Sequence, residues 1–316
     1  MEHDSLRNLD LNLLRTLDAL LQERHVTRAA ERLGLSQPAV SAALSRLRRH
    51  FGDELLVRSG NRLELTALAE QLLGNAEAAL AGVRRVFDAT PLFDPETSRR
   101  EFTLVTSDYA TAILGEPLTA MVDEQAPGVR LRFQAQTVGS VDHPMETLRA
   151  VDGMVLPHGF LADIPVLDLY EDQWVCIVSA DNDTVGDELT REDLERLPWV
   201  DVFHRPTAFT PALRQLQVLG VEPRVDVVVE QFLALPFMVG GTSRIAVIQA
   251  QLARRMAGPA NVRVLPCPWD VVPLKEAFWY HPSHRADPAH AWLRQILSLA
   301  AETIERPAPG PREAPK

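Results

Sequence analysis

Gln37, Ser41, Ser45 and Arg49 recur every fourth residue, so in a helix they share one face. Their chemistry is that of nucleic-acid reading. Gln pairs bidentately with adenine, Arg with guanine or phosphate, and a small Ser lets the backbone come close to base edges. Arg46 and Arg48 fall on the same side, with Ala42 as a further small residue. From Arg24 to Arg49 six arginines stand against one acid, Glu31, a local charge of +5. A second basic pair, Arg58 and Arg62, brackets a Ser59-Gly60-Asn61 turn within reach of a phosphate or the minor groove.

Such a face needs a scaffold, and the apolar spacing supplies one. Ala29, Ala30 and Leu33 repeat on one short helical pattern, and Val40, Leu44, Leu47 and Phe51 on a second. Between them Gly34 ends the first helix, Ser36 caps the second, and Pro38 sits in a first turn where a missing N–H costs little. This is a helix-turn-helix, for which a solvated hairpin with a basic face is the plain alternative. Residues 51–58 and 61–66 read as two strands of a wing. An amphipathic helix capped by Asp10, with Leu13, Leu17 and Leu20 inward, closes the small core. After Thr66 a long Ala-rich helix carries the stripe Leu68, Leu72, Leu73, Ala76, Leu80, Val83 and Phe87. That stripe is expected to pair with a second copy of the chain, or else to join the core of the head.

The remaining chemistry is excluded more than indicated. Cys176 and Cys267 are isolated, with no CxxC, so neither a disulfide framework nor a zinc ribbon is expected. His281, His284 and His290 lack a completing metal ligand and are expected on the surface or at caps, with no metal. Lysine occurs only as Lys275 and Lys316, which leaves no supported Schiff-base site, and GxSxG, GxGxxG and P-loop patterns are absent. An enzyme is therefore not expected, and no cofactor. No apolar run is long enough for a bilayer and no signal peptide is visible, so a cytoplasmic location and no membrane partner are expected.

At 316 residues with 46% hydrophobic content, the chain has room for a head and a larger body. Net charge is −11, while residues 1–65 carry +1, so the body is acidic and repels DNA. Beyond Pro91 and Pro95 strand and helix patterns alternate, an α/β arrangement with mainly parallel strands. Strands are expected at 102–107, 129–137, 151–156, 174–178, 199–202, 224–229, 245–248, 262–265 and 274–280, with a last helix over 288–304. The end is Pro-rich and charged, which predicts disorder over 305–316.

Asp10 to Leu21, Ala29 to Arg58 (AAERLGLSQPAVSAALSRLRRHFGDELLVR) and Leu65-Thr66 together resemble the LysR-type transcriptional regulators, over nearly the whole chain. Arg100 to Tyr109, Val151-Asp152-Gly153, VGGTSRIAVI and DPAHAWLR look like the branch of nodulation and aromatic-degradation regulators. In place of the Pro-Ala-Gly run that many members carry after Leu-Thr, this chain has Ala67-Leu68-Ala69.

The resemblance implies a winged helix-turn-helix over 1–65, a linker and dimerisation helix over 66–90, and a periplasmic-binding-protein-like body over 91–304. In that body lobe I takes about 99–165 plus 267–304, and lobe II about 166–266. It implies a homodimer or homotetramer on a dyad operator in double-stranded DNA near a promoter, acting with RNA polymerase. Gln37, Pro38, Ser41 and Ser45 then approach bases, and Arg46, Arg48, Arg49, Arg58 and Arg62 contact phosphate or groove.

A small-molecule effector, a carboxylate or aromatic compound, is expected between the lobes. Thr106 and Ser107 end the first strand before a helix, where an anion meets helix N–H groups. Ser107 serves either there or as a cap, and Asp108 weakens anion binding. Gln136, Thr137, His158, Phe203 and His204 are expected to line the cleft or to serve their loops, Phe203 stacking on a ring and His204 donating to a carboxylate or phenol.

Overall fold

The computed structural model describes residues 10–60, 62–87, 92–202 and 210–304. It comprises two compact units, residues 1–89 and 90–316. In the first, α1 (Leu11–Glu23), α2 (Val26–Leu33) and α3 (Gln37–Phe51) precede a hairpin of β1 (Leu56–Ser59) and β2 (Arg62–Leu65), and α4 (Ala67–Phe87) follows.

Local chemistry sets each boundary here. The Asp10 side chain accepts from Asn12 N–H, Ser36 from Ala39 and Thr66 from Ala69, so three helix starts are capped. Gly34 and Gly52 end α2 and α3 at φ 66° and 64°, a region that disfavours a side chain. Because α3 runs through Phe51, the first wing strand begins at Leu56, later than the expected 51. Asp53 holds that junction, its Oδ1 accepting from Leu55 N–H at 2.6 Å and from the Thr66 hydroxyl at 2.7 Å.

Leu17, Leu20, Val40, Leu44, Leu47, Leu55 and Leu56 bury the core of the head. At about 1.5–3 kcal/mol for each large aliphatic side chain, this burial holds the small unit together. Ala69, Leu72, Leu73 and Ala76 of α4 join that core. Further along the same helix Val86 and Phe87 stand exposed.

The second unit runs β3 (Glu101–Thr106), α5 (Asp108–Gln125), β4 (Arg130–Ala135), α6 (Val138–Asp142), α7 (Pro144–Ala150), β5 (Gly153–Pro157) and β6 (Val166–Asp172). It continues with β7 (Trp174–Ser179), α8 (Arg191–Arg196), β8 (Pro198–Val202), α9 (Pro211–Val218), β9 (Arg224–Val229), α10 (Leu235–Val239), β10 (Ile245–Gln249), α11 (Ala250–Met256) and β11 (Val262–Pro266). Finally β12 (Leu274–Trp279) and α12 (Pro288–Glu302) return to the first lobe.

Two five-stranded sheets result, in the orders β4-β3-β5-β12-β6 and β11-β7-β10-β8-β9. Both are mixed, which corrects the mainly parallel expectation. β3, β4 and β5 run parallel, as do β8, β9 and β10, whereas β12 lies antiparallel to β5 and β6, and β7 to β10 and β11. The chain changes sheet directly at Gln173 and again over residues 267–273, with no helix to turn the strand around. β6 was absent from the expected strands, and as a partner of β12 it moves the first lobe's boundary from residue 165 to Asp172.

Several residues that carried the resemblance turn out to be structural. Arg100 bridges Asp152 at 3.0 Å and Asp287 at 2.8 Å, while Asp287 also caps α12. Gly153 lies so close to Phe278 that a Cβ there would sit 2.1 Å from its ring. Cys176 and Cys267, isolated in sequence, meet with Sγ atoms 3.7 Å apart as free thiols.

The histidines depart from expectation. His281 caps a short turn, but His284 and His290 are buried and stacked with centroids 4.5 Å apart. Burial drives the His290 imidazole down to about 3, so it stays neutral, with Nε2 on the Asp152 carbonyl at 2.7 Å.

Candidate nucleic-acid interface and ligand cleft

On α3 the buried side is Val40, Ala43, Leu44 and Leu47. The opposite side leaves Gln37, Pro38, Ala42, Ser45, Arg46 and Arg49 exposed and Ser41 half-buried. Ser45 donates its hydroxyl to the Ser41 carbonyl at 3.0 Å, which keeps the small residues flat against the helix. Arg58 and Arg62 are exposed on the two wing strands, and Arg58 Nε donates to the Gly60 carbonyl at 3.3 Å.

Arg48 is different. Its guanidinium donates to the carbonyls of Glu54 at 2.8 Å and Leu56 at 3.0 Å and pairs with the Glu54 carboxylate at 3.1 Å, so it fastens the wing to α3. Arg32 is likewise engaged, with Asp18 at 3.6 Å and Glu23 at 3.4 Å. The local +5 therefore contracts, on α3 itself, to the open guanidinium groups of Arg46 and Arg49. Spacing could not separate Arg48 from its neighbours, because its partners lie on the following turn and strand.

In the second unit a cavity of about 60 Å³ opens between the two sheets. That is room for a few waters. Ser107, Gln136 and Thr137 line it; Thr106 does not. Thr106 is buried, its hydroxyl within 2.5 Å of the Thr111 hydroxyl. Ser107 accepts from Ala110 N–H at 3.0 Å and thereby caps α5, and Thr137 caps α6 in a reciprocal pair with Ser140. His158 bonds Asp168 at 2.7 Å and is not on the wall. Phe203 and His204 lie outside the described residues, as do Asn61, Pro91 and the 305–316 tail.

The wall contains residues that spacing did not single out. Trp174 and Gln249 come from the second lobe, Tyr109 and Glu276 from the first. Glu276 is 3% exposed, and burial, reinforced by the neighbouring Asp172 charge, pushes its carboxyl up to about 8. Tyr109 donates its hydroxyl to Asp172 at 2.8 Å, and Asp172 also accepts from the backbone of Gln173 at 2.7 Å and Gln251 at 3.2 Å. Burial raises Asp172 and Tyr109 as well, Tyr109 strongly.

Asp108, at the N-terminus of α5, crosses to the second lobe and accepts from the backbone N–H groups of Phe232 at 3.1 Å and Leu233 at 2.7 Å. The only sequence signal for Glu276 was an acid, beside Lys275, in a strand whose other residues are apolar. No Lys, Arg or His lines the cavity among the described residues.

Among the described residues no group of three or more His, Cys, Asp or Glu is placed to hold a metal, and no helix is long and apolar enough to cross a membrane.

Comparison with known proteins agrees with both units. Residues 11–70 match the family described as bacterial regulatory helix-turn-helix protein, lysR family, and residues 95–301 match the LysR substrate binding domain. Nodulation protein D 2 of Rhizobium tropici is 34% identical over 305 residues, covering 95% of this chain and 96% of its own length. The crystal structure of a probable transcriptional regulator from Pseudomonas aeruginosa superposes with a TM-score of 0.70 at 31% identity, covering 93% of this chain and 98% of that one. Full-length CbnR complexed with its target DNA shares the fold at a TM-score of 0.65 and 16% identity, over 93% of this chain and 100% of that one.

Proposed function

The chain belongs to the LysR family of bacterial helix-turn-helix regulators, and from that membership we propose how its two units divide the work of a ligand-responsive transcription factor that is not an enzyme. α3 enters the major groove with Gln37, Pro38, Ser41 and Ser45 toward the bases. Arg46, Arg49, Arg58 and Arg62 hold phosphates, and Arg48 positions the wing.

The exposed half of the α4 stripe, ending in Val86 and Phe87, pairs with a second copy, so that two heads meet a dyad operator near a promoter. The protein works in the cytoplasm, where it contacts RNA polymerase. A small organic effector of ring size enters between the lobes at Ser107 and Gln136, in contact with the aromatic Phe160 and Phe232.

One observation carries this reading. α3 is capped at both ends and presents an outer face of small, amide and guanidinium side chains, while the body beneath the overall charge of −11 is acidic. Phosphate binding therefore has one place to occur, and it weakens steeply with salt.

The test is a mobility shift on the intergenic DNA beside the protein's own gene, across a salt series, with Ser41→Arg as control. A discrete shift that fades with salt and is at least a hundredfold weaker in Ser41→Arg is the expected result. A footprint retained in that variant overturns the docking face, and no shift moves the target elsewhere in the genome.

A further inference from the structure

Two cysteines far apart in sequence are brought together by one ladder. β11 pairs antiparallel with β7, Leu265 opposite Cys176 and Pro266 opposite Val175. Cys267 follows the last paired residue and falls on the same face as Leu265 and Cys176, because side chains two apart in a strand share a side. In a regular sheet such a diagonal pair is roughly 7 Å apart, at the limit of what a disulfide spans. Here the ladder has ended, and the two Sγ atoms stand 3.7 Å apart.

The pair is asymmetric. Cys176 is fully buried and donates its thiol to Cys267 Sγ, and that bond together with burial pushes it well above the ordinary thiol range. Cys267 is half-buried and donates its own thiol to the Trp174 carbonyl at 3.5 Å. A reagent in solution therefore meets Cys267 first, with Cys176 directly behind it. Position gives the pair leverage, since the chain passes between the two sheets at Gln173 and again over residues 267–273. Cys176 stands three residues after the first crossover, and Cys267 opens the second.

We propose that Cys176 and Cys267 are a redox-sensing thiol pair, closed to a disulfide by a low-molecular-weight disulfide and reopened by a thiol, and that the bond pins the second crossover to β7. Cys267, as thiolate, attacks one sulfur of the small disulfide; the new S–S bond forms as the old one breaks, and the first small thiolate leaves. The Cys176 sulfur then attacks Cys267 Sγ, and the second small thiolate departs. The two cysteine protons end on the two small thiolates, so two protein thiols are oxidised and one small disulfide is reduced. Closing the gap from 3.7 Å to a bond of about 2.05 Å draws the start of the crossover toward β7, and the Trp174 carbonyl loses its thiol donor.

Because the chain has two cysteines, the products can be counted. Full-length protein is equilibrated with oxidised glutathione at millimolar concentration, denatured in N-ethylmaleimide and weighed. Most chains are expected to carry neither maleimide nor glutathione and to run as monomers on a non-reducing gel, and dithiothreitol should restore both thiols. Glutathione retained on Cys267 with Cys176 free, two free thiols, or a disulfide between chains each overturns the pair. In Cys267→Ser the remaining thiol should stay free; a glutathione adduct on Cys176 would overturn the order of attack.

The hold on the crossover is read by hydrogen exchange. β11 is the edge strand of its sheet, and its end at Pro266 is expected to fray until it is fastened. Oxidation should slow exchange over residues 262–265 by about tenfold, and the same treatment of Cys267→Ser should change nothing. Unchanged exchange in the oxidised protein leaves the bond standing and overturns the pinning.

Discussion

The recognition face of the head and the cleft of the body handle charge in opposite ways. On α3 Arg46 and Arg49 stand in water at helical spacing, whereas in the body Glu276, Asp172 and Asp152 are withdrawn from water and built from strands and loops far apart in sequence. The contrast follows from the ligands. A polyanion outside the protein is held by exposed cations that need no partner of their own, while a small molecule inside needs groups kept dry and aimed. Removing an exposed charge therefore changes binding, and removing a buried one changes folding first.

The largest effect expected from this contrast is at Arg100. Arg100→Ala leaves Asp152 and Asp287 without their shared cation and should destabilise the body by about 3–5 kcal/mol. All five tryptophans lie beyond residue 173, so urea unfolding followed by tryptophan fluorescence reports the body alone. A loss under about 1 kcal/mol would mean that the body's buried charges behave like surface pairs, and the contrast would fail.

Next comes pH. Glu276 is raised from 4.5 to about 8, so its contribution to stability is complete below pH 4.5 and is lost as pH rises toward 8. The body should lose roughly 1 kcal/mol per pH unit from this group between pH 5 and 8, and Glu276→Gln should flatten that slope. His290, lowered from 6.5 to about 3, works in the other direction: its contribution is complete above pH 6.5 and is lost as pH falls toward 3. Stability curves for the two proteins between pH 4 and 9 that superpose would remove Glu276 from this account.

The smallest effects sharpen the comparison within the head. Arg49→Ala should lower the salt dependence of DNA binding by about one counter-ion with no change in head stability. Arg48→Ala should leave the salt slope alone and cost the head about 1–2 kcal/mol, because the Glu54 and Leu56 carbonyls lose their donor. Circular dichroism melts paired with salt-dependent shifts separate the two; a common change in slope would make Arg48 a phosphate contact after all.

The same contrast explains what could be read from the residues alone. Asp10, Gly34, Ser36 and Thr66 act on neighbours within four positions, so the helices of the head were visible as spacing and caps. Glu276 was not visible as a cleft residue. Its position depends on β12 pairing with Tyr170 of a strand more than a hundred residues earlier, and that strand, VLDLYED, carries three acids that disguise it. Asp108 was noticed as a charge near Ser107, but its true partners, the N–H groups of Phe232 and Leu233, have no side-chain identity that a sequence could advertise. Membership of the family came from the first kind of residue, and the nature of the ligand depends on the second.

Those two bonds from Asp108 also set a threshold for sensing. A ligand too large for the closed cavity has to exchange them for water, and hydrogen bonds to a charged group contribute about 1.5–3 kcal/mol each. For a molecule that binds only a form in which those bonds are broken, the measured affinity is the intrinsic affinity scaled by the fraction in that form. Concentration thresholds in such a sensor are adjusted at the latch, independently of the contacts that recognise the molecule.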